Sequence, residues 1–194
     1  MPFSINPAWL TGPWRAGWAL DLHTISSVAL GDGKYDTLRS EVGEALFRLK
    51  YHGDPEYVEL LAEAAVHFLR TLVITRSLAA ILPVPPSDTT RLKQPVLEVA
   101  RRVGELLPLV VDADYLVKRR PTSALKDISD PEERHQQLAG AFGVRDDRYA
   151  HKRVLLFDDL YRSGETLGEI TRTLMEAGVD RVYVLTLTRT RSRR

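Results

Sequence analysis

The chain has 194 residues, 44% of them hydrophobic and 27% charged, and its 27 basic and 26 acidic side chains leave a formal net charge of +1. That balance suits one compact unit with room for an appendage, argues against long disorder, and selects neither a nucleic acid nor a membrane through bulk charge. The lack of cysteine excludes disulfides, thiolate zinc sites and a cysteine nucleophile.

The chain opens Met1-Pro2-Phe3-Ser4, without a basic stretch leading into an apolar core, and no apolar run approaches the ~20 residues that span a bilayer. The expectation is a soluble, cytoplasmic protein. Residues 1–20 hold Trp9, Trp14 and Trp18 among prolines and glycines. They read as an irregular arm packed on the body, with an exposed partner-binding arm as the alternative. Residues 19–30 read as extended, with β-branched Thr24, Ile25 and Val28 ahead of the turn Gly31-Asp32-Gly33. Asp36 or Thr37 can then cap a helix that carries Leu38, Val42, Leu46 and Leu49 on one face and stops at Gly53-Asp54-Pro55. A second helix is expected over residues 56–72, with Val58, Leu61, Ala65 and Leu69 as its stripe.

From residue 77 the pattern alternates. Residues 78–84 form an apolar strand running into Pro85 and Pro86, and residues 95–107 a helix with Pro95 in its first turn. Residues 115–117 read as a strand, 119–130 as a polar loop, 131–140 as a short helix, 154–157 as a buried strand, 164–177 as a helix and 181–187 as a strand. Strand and helix in alternation imply βαβ units, hence an α/β fold with a parallel sheet covered on both faces. The expected division is an N-terminal arm with a helical hood over residues 1–76 and an α/β core over residues 77–194.

The chemistry concentrates in Val154-Leu155-Leu156-Phe157-Asp158-Asp159-Leu160-Tyr161-Arg162-Ser163-Gly164-Glu165-Thr166-Leu167. An apolar strand ends in two carboxylates, at the sheet edge where open α/β sheets bind ligands. A short loop then opens a helix, whose first N–H groups lack intrahelical partners and carry partial positive charge. Gly164 lets the backbone approach an anion, and Ser163 and Thr166 add hydroxyl donors, so the turn suits a phosphate monoester. Asp158 and Asp159 repel phosphate and suit vicinal hydroxyls. A phosphate beside a diol describes ribose 5-phosphate. The plain alternative is two solvated or capping aspartates and an ordinary N-cap serine. Neither a Walker A loop nor a Gly-X-Gly-X-X-Gly turn is present, and His23, His52, His67, His135 and His151 show no metal-ligand spacing.

An apolar strand, two acids, three variable residues, Ser, Gly, any residue and Thr together resemble the motif by which type I phosphoribosyltransferases bind phosphoribosyl pyrophosphate (PRPP). Leu49-Lys50-Tyr51 with Gly53, Val84-Pro85-Pro86, Thr122, Arg134, Gly140-Ala141-Phe142 and Thr186-Leu187-Thr188-Arg189 extend the resemblance to the ComF family, which contributes to DNA uptake in natural transformation. The chain departs from many ComF relatives in having no four-cysteine zinc module, and in carrying Arg91-Leu92-Lys93-Gln94-Pro95 where they often show Arg-Gly-Phe-Asn-Gln.

The resemblance implies a type I phosphoribosyltransferase-like fold, with a central mostly parallel sheet, helices on both faces and a small N-terminal hood. It implies that Arg162, Ser163, Gly164, Glu165 and Thr166 hold the 5-phosphate, and that Asp158 and Asp159 hold the ribose hydroxyls. The loop bearing Pro85, Pro86, Ser87 and Asp88 would face the pyrophosphate. Lys126 and Arg134 would bring cations to it, from a stretch that reads equally as a solvated basic loop. Mg²⁺ is expected, held mainly by PRPP rather than by a protein cage. Arg189, Arg191, Arg193 and Arg194 in the tail would grip nucleic-acid phosphates, or else belong to a frayed terminus. Three functions follow: transfer of phosphoribosyl to an unidentified acceptor, PRPP-responsive binding of single-stranded DNA without turnover, or purine or pyrimidine salvage. Many relatives of the fold pair up, so a homo-oligomer is also an expectation.

Overall fold

The computed structural model describes residues 4–86, 94–120 and 138–191. The tryptophan-bearing arm enters the main sheet instead of lying irregularly on it. β1 (Ala8–Trp9) pairs antiparallel with β2 (Ala16–Leu22), and β2 runs parallel to the last strand of the chain. β2 is buried along both faces: Trp18 and Leu20 enter one core cluster, and Ala19 joins Leu10 and Trp14 in the other. A strand covered on both sides has no polar alternation to reveal it.

β3 (Ser26–Gly31) and β4 (Lys34–Leu38) form an exposed antiparallel hairpin. Asp32 and Gly33 both take positive φ, 50° and 74°, the geometry of a two-residue hairpin turn. Residues 34–38 are therefore a strand and not the start of a helix, and Leu38 is exposed. Neither Asp36 nor Thr37 is the helix cap. Ser40 caps α1 (Glu41–Tyr51): its Oγ accepts the N–H of Gly43 at 2.9 Å and donates to Leu22 O at 2.5 Å. The cap thus ties the helix start to the end of β2.

α2 (Glu56–Thr71) follows, burying Leu61, Ala65 and Leu69 as the periodicity predicts. Beyond it come β5 (Ala80–Pro83), α3 (Pro95–Leu106), β6 (Val110–Val111), β7 (Leu116–Lys118), β8 (Phe142–Val144), β9 (Arg153–Tyr161), α4 (Glu165–Glu176) and β10 (Arg181–Arg189). β6 and β8 are too short to have been visible in the sequence. The expected loop over 119–130 and helix over 131–140 lie largely outside the described residues.

The main sheet has the order β1-β2-β10-β9-β5-β6, parallel throughout except at β1, while β7 and β8 form a separate antiparallel pair. Leu155 and Phe157 of β9 face a core shared with α1, α2 and α3, and Val154 and Leu156 face a core shared with α4. The fold is α/β, a mostly parallel sheet with helices on both faces. Among the described residues no helix is long and apolar enough to cross a membrane.

Candidate functional site

β9 continues to Tyr161, so Asp158 and Asp159 lie within the strand and not beyond its end. Side chains alternate along a strand. Asp158 therefore falls on the α4 side with Leu156, and Asp159 on the α1 side with Phe157. Asp159 Oδ2 lies 2.5 Å from Nζ of Lys50, in the last turn of α1. Asp158 Oδ1 accepts the backbone N–H of Asp159 at 2.8 Å. Burial first, and then the Asp159 carboxylate, push the Asp158 carboxyl well above the usual carboxylate range, against the smaller pull of that hydrogen bond and of Lys50. An acid so placed gains from a partner that donates protons or brings positive charge.

The next residues turn the chain into α4. Arg162 and Ser163 are exposed, and Gly164 sits at the N-cap with φ +80°. A Cβ there would lie 2.7 Å from a ring carbon of Tyr161, so both backbone conformation and space require glycine. Tyr161 in turn donates its hydroxyl to Thr11 O at 3.2 Å and meets Trp14 edge-on at 6.3 Å. The N-terminal arm thereby props the turn. No side-chain hydrogen bond caps α4 at Gly164, and the first turn of the helix, at Glu165 and Thr166, carries the partial positive charge of a helix start.

β5 ends next to Asp158. Val84 N–H donates to Phe157 O at 2.9 Å, and Pro85 and Pro86 leave the sheet from there, with Pro86 exposed. Ser87, Asp88, Lys126, Arg134, Arg193 and Arg194 lie outside the described residues. Of the tail arginines, Arg189 belongs to β10 and is half-buried, with an enclosed Nε that has no hydrogen-bond partner, whereas Arg191 is exposed.

Three further residues join the site. Lys50 pairs with Asp159 across 109 positions of sequence, a contact without a local signal. Thr188 Oγ1 donates to Asp159 O at 3.0 Å and lies 3.4 Å from Nδ1 of His23. His23 follows β2 and lines a groove of ≈ 260 Å³ that also touches Ile25, Ser26, Thr190 and Arg191. Burial, then Lys50 and Arg39, hold the His23 imidazole below its ordinary value. Among the described residues no group of three or more histidines and carboxylates is placed to hold a metal by itself.

No family model matches the chain, and no curated protein matches it. Among solved structures it is similar to UMP synthase of Leishmania donovani, at 20% identity and a TM-score of 0.44 over 82% of this chain and 27% of that one. It is also similar to the glutamine PRPP amidotransferase from B. subtilis, at 18% identity and 0.49 over 80% and 34%. A third likeness is to the hypoxanthine-guanine phosphoribosyl transferase of L. donovani, at 15% and 0.41 over 68% and 71%. The chain spans about a third or less of the length of the first two.

Proposed function

We propose that the chain binds PRPP across the end of β9 and the start of α4, and transfers its phosphoribosyl group to an acceptor with release of pyrophosphate. The observation that carries this reading is the run of β9, with Asp158 and Asp159, through the left-handed Gly164 into the first turn of α4. Asp158 takes the ribose hydroxyls; the turn from Arg162 to Thr166 takes the 5-phosphate through backbone amides and the hydroxyls of Ser163 and Thr166. Pro85 and Pro86 set the start of the pyrophosphate-side loop next to Asp158, with Ser87 and Asp88 beyond, and Lys126 and Arg134 supply cations. The layer of α1 and α2 with the β3–β4 hairpin serves as the hood.

Mg²⁺ would be held mainly by PRPP oxygens, since Asp159 is already paired with Lys50 and the described residues form no cluster of metal ligands. When bound, the ion neutralises the departing pyrophosphate. The chain's own part is to fix the ribose, to hold the phosphate rigidly and to exclude water from a centre with oxocarbenium character.

The ComF resemblance and the exposed Arg191 support a second reading, in which the same site senses PRPP and the tail touches single-stranded DNA in a cytoplasmic uptake system. Calorimetry with PRPP and Mg²⁺, followed by pyrophosphate release over a panel of bases, tests the first reading. PRPP binding without turnover, together with salt-dependent affinity for single-stranded DNA, favours the second. No PRPP binding rejects both.

A further inference from the structure

The β3–β4 hairpin stands clear of the body. Its strands pack chiefly on each other, β3 is exposed along its whole length, and β4 is partly covered only at Thr37. Val28, Leu30, Tyr35 and Leu38 are between 58% and 67% exposed. A two-stranded hairpin is marginal in water by itself, and further strands stabilise it. Among the described residues neither outer edge of this hairpin pairs with another strand.

The two edges differ in chemistry. β3, Ser26-Ser27-Val28-Ala29-Leu30-Gly31, has no charge, whereas β4 has Lys34 and Asp36 on either side of Tyr35. The hydroxyls of Ser27 and Thr37 lie 3.2 Å apart, which marks that cross-strand pair as a close, non-hydrogen-bonded one. Pair types alternate along an antiparallel ladder, so Tyr35, opposite Ala29, is of the same kind, and its N–H and C=O point outward from the hairpin. Lys34 and Asp36 project on the face opposite Tyr35. Both are exposed, and among the described residues neither meets an opposite charge.

Antiparallel pairing of β4 with β4 of a second copy, about a two-fold axis, sets one residue against its own counterpart. With Lys34 or Asp36 at the axis, like charges oppose one another, which is destabilising. With Thr37 there, Asp36 falls against Leu38. With Tyr35 there, Lys34 meets Asp36 twice, Thr37 falls against Gly33 of the turn, and two tyrosine rings lie side by side, each flanked by an Ala29. We propose that β4 is the edge through which two copies of this chain pair, with Tyr35 on the two-fold axis. The two hairpins then make one four-stranded sheet. Its contact is small beside the ~800 Å² per partner of a standard interface, so the dimer depends on concentration. The inference is independent of the PRPP reading.

Sedimentation velocity of the full chain over a wide concentration range should show a monomer–dimer equilibrium. Lys34→Glu or Asp36→Lys alone should weaken the dimer about tenfold, because each reversal acts twice across the axis, and the two together should restore it. Both positions are exposed, so circular dichroism should show parent-like folding in all three variants. The chain has no cysteine, so an introduced one reports the axis directly. Only a residue on the axis faces its own copy within disulfide distance. Tyr35→Cys should therefore oxidise to a linked dimer, and Val28→Cys and Thr37→Cys should not. A parent chain that stays monomeric overturns the proposal and leaves the edge to an extended peptide of another protein. A dimer that both single reversals leave intact overturns it too, as does one that links through Val28→Cys or Thr37→Cys instead of Tyr35→Cys.

Discussion

Asp158 and Asp159 are adjacent in sequence and face opposite sides of the sheet: Asp159 meets Lys50 at 2.5 Å, while Asp158 is set among α4-side residues with its nearest donor the N–H of Asp159. One acid is already neutralised by a cation of the fold, and the other, in the proposed reading, meets the ligand. The pair therefore divides two tasks, joining the helical layer to the sheet and presenting an oxygen acceptor at the sheet edge.

The Lys50–Asp159 pair is about one-fifth exposed on each side, between the surface and buried regimes. Lys50→Met should cost about 1–2 kcal/mol, because it strands a partly buried carboxylate. Urea unfolding measures this, and a double-mutant cycle with Asp159→Asn should return a coupling of about 1 kcal/mol.

The carboxyl of Asp158 keeps its proton longer in the folded chain than in the unfolded one. Below its ordinary value of 3.8 both states are protonated and no difference exists. As pH rises above that value the unfolded chain releases the proton first, so folding stability declines with pH at this residue. Asp158→Asn removes the decline. The variant should match the parent near pH 3 and become progressively more stable than it toward neutral pH, measured as the difference in urea midpoint across pH. A constant difference would show that the acid is not raised.

Ser40→Ala should cost about 1–2 kcal/mol, since one hydroxyl both caps α1 and holds Leu22 O at the end of β2. Thermal melts give the loss. Retention of the cap by Ser40→Asp, with the Leu22 bond lost, should recover only part of it.

Gly164→Ala should destabilise by about 1–2 kcal/mol through the positive φ alone. Contact of the new methyl with the Tyr161 ring adds to this, so Tyr161→Leu in the same chain should recover part of the loss. Full recovery would place the whole effect in the ring contact rather than the backbone.

The strand, acids, turn and helix of the site were legible because each has a local cause: an apolar run, paired carboxylates, a glycine at a left-handed position and a 3.6-residue stripe. What the sequence hid depends on long-range pairing. β2 is buried on both faces, so Trp18, Ala19 and Leu20 show no alternation, and its partner β10 lies far along the chain. Residues 34–38 offered Asp36 and Thr37 as helix caps, but the Asp32-Gly33 turn pairs them with β3 and hands the cap to Ser40. Lys50, Thr188 and His23 join the site only when α1, β10 and β2 close on one edge of the sheet. No spacing in the sequence encodes that meeting.

Isothermal titration of Mg·PRPP tests the central claim most directly, using the parent chain, Asp158→Asn with Asp159→Asn, and Ser163→Ala with Thr166→Ala. Each double variant should fold and lose about 2–4 kcal/mol of affinity, from the hydrogen bonds the acids make to the ribose in the first case and from hydroxyl donors at the helix start in the second. Parent-like affinity in both variants would contradict the account, because the ligand would then be held by neither the acids nor the turn.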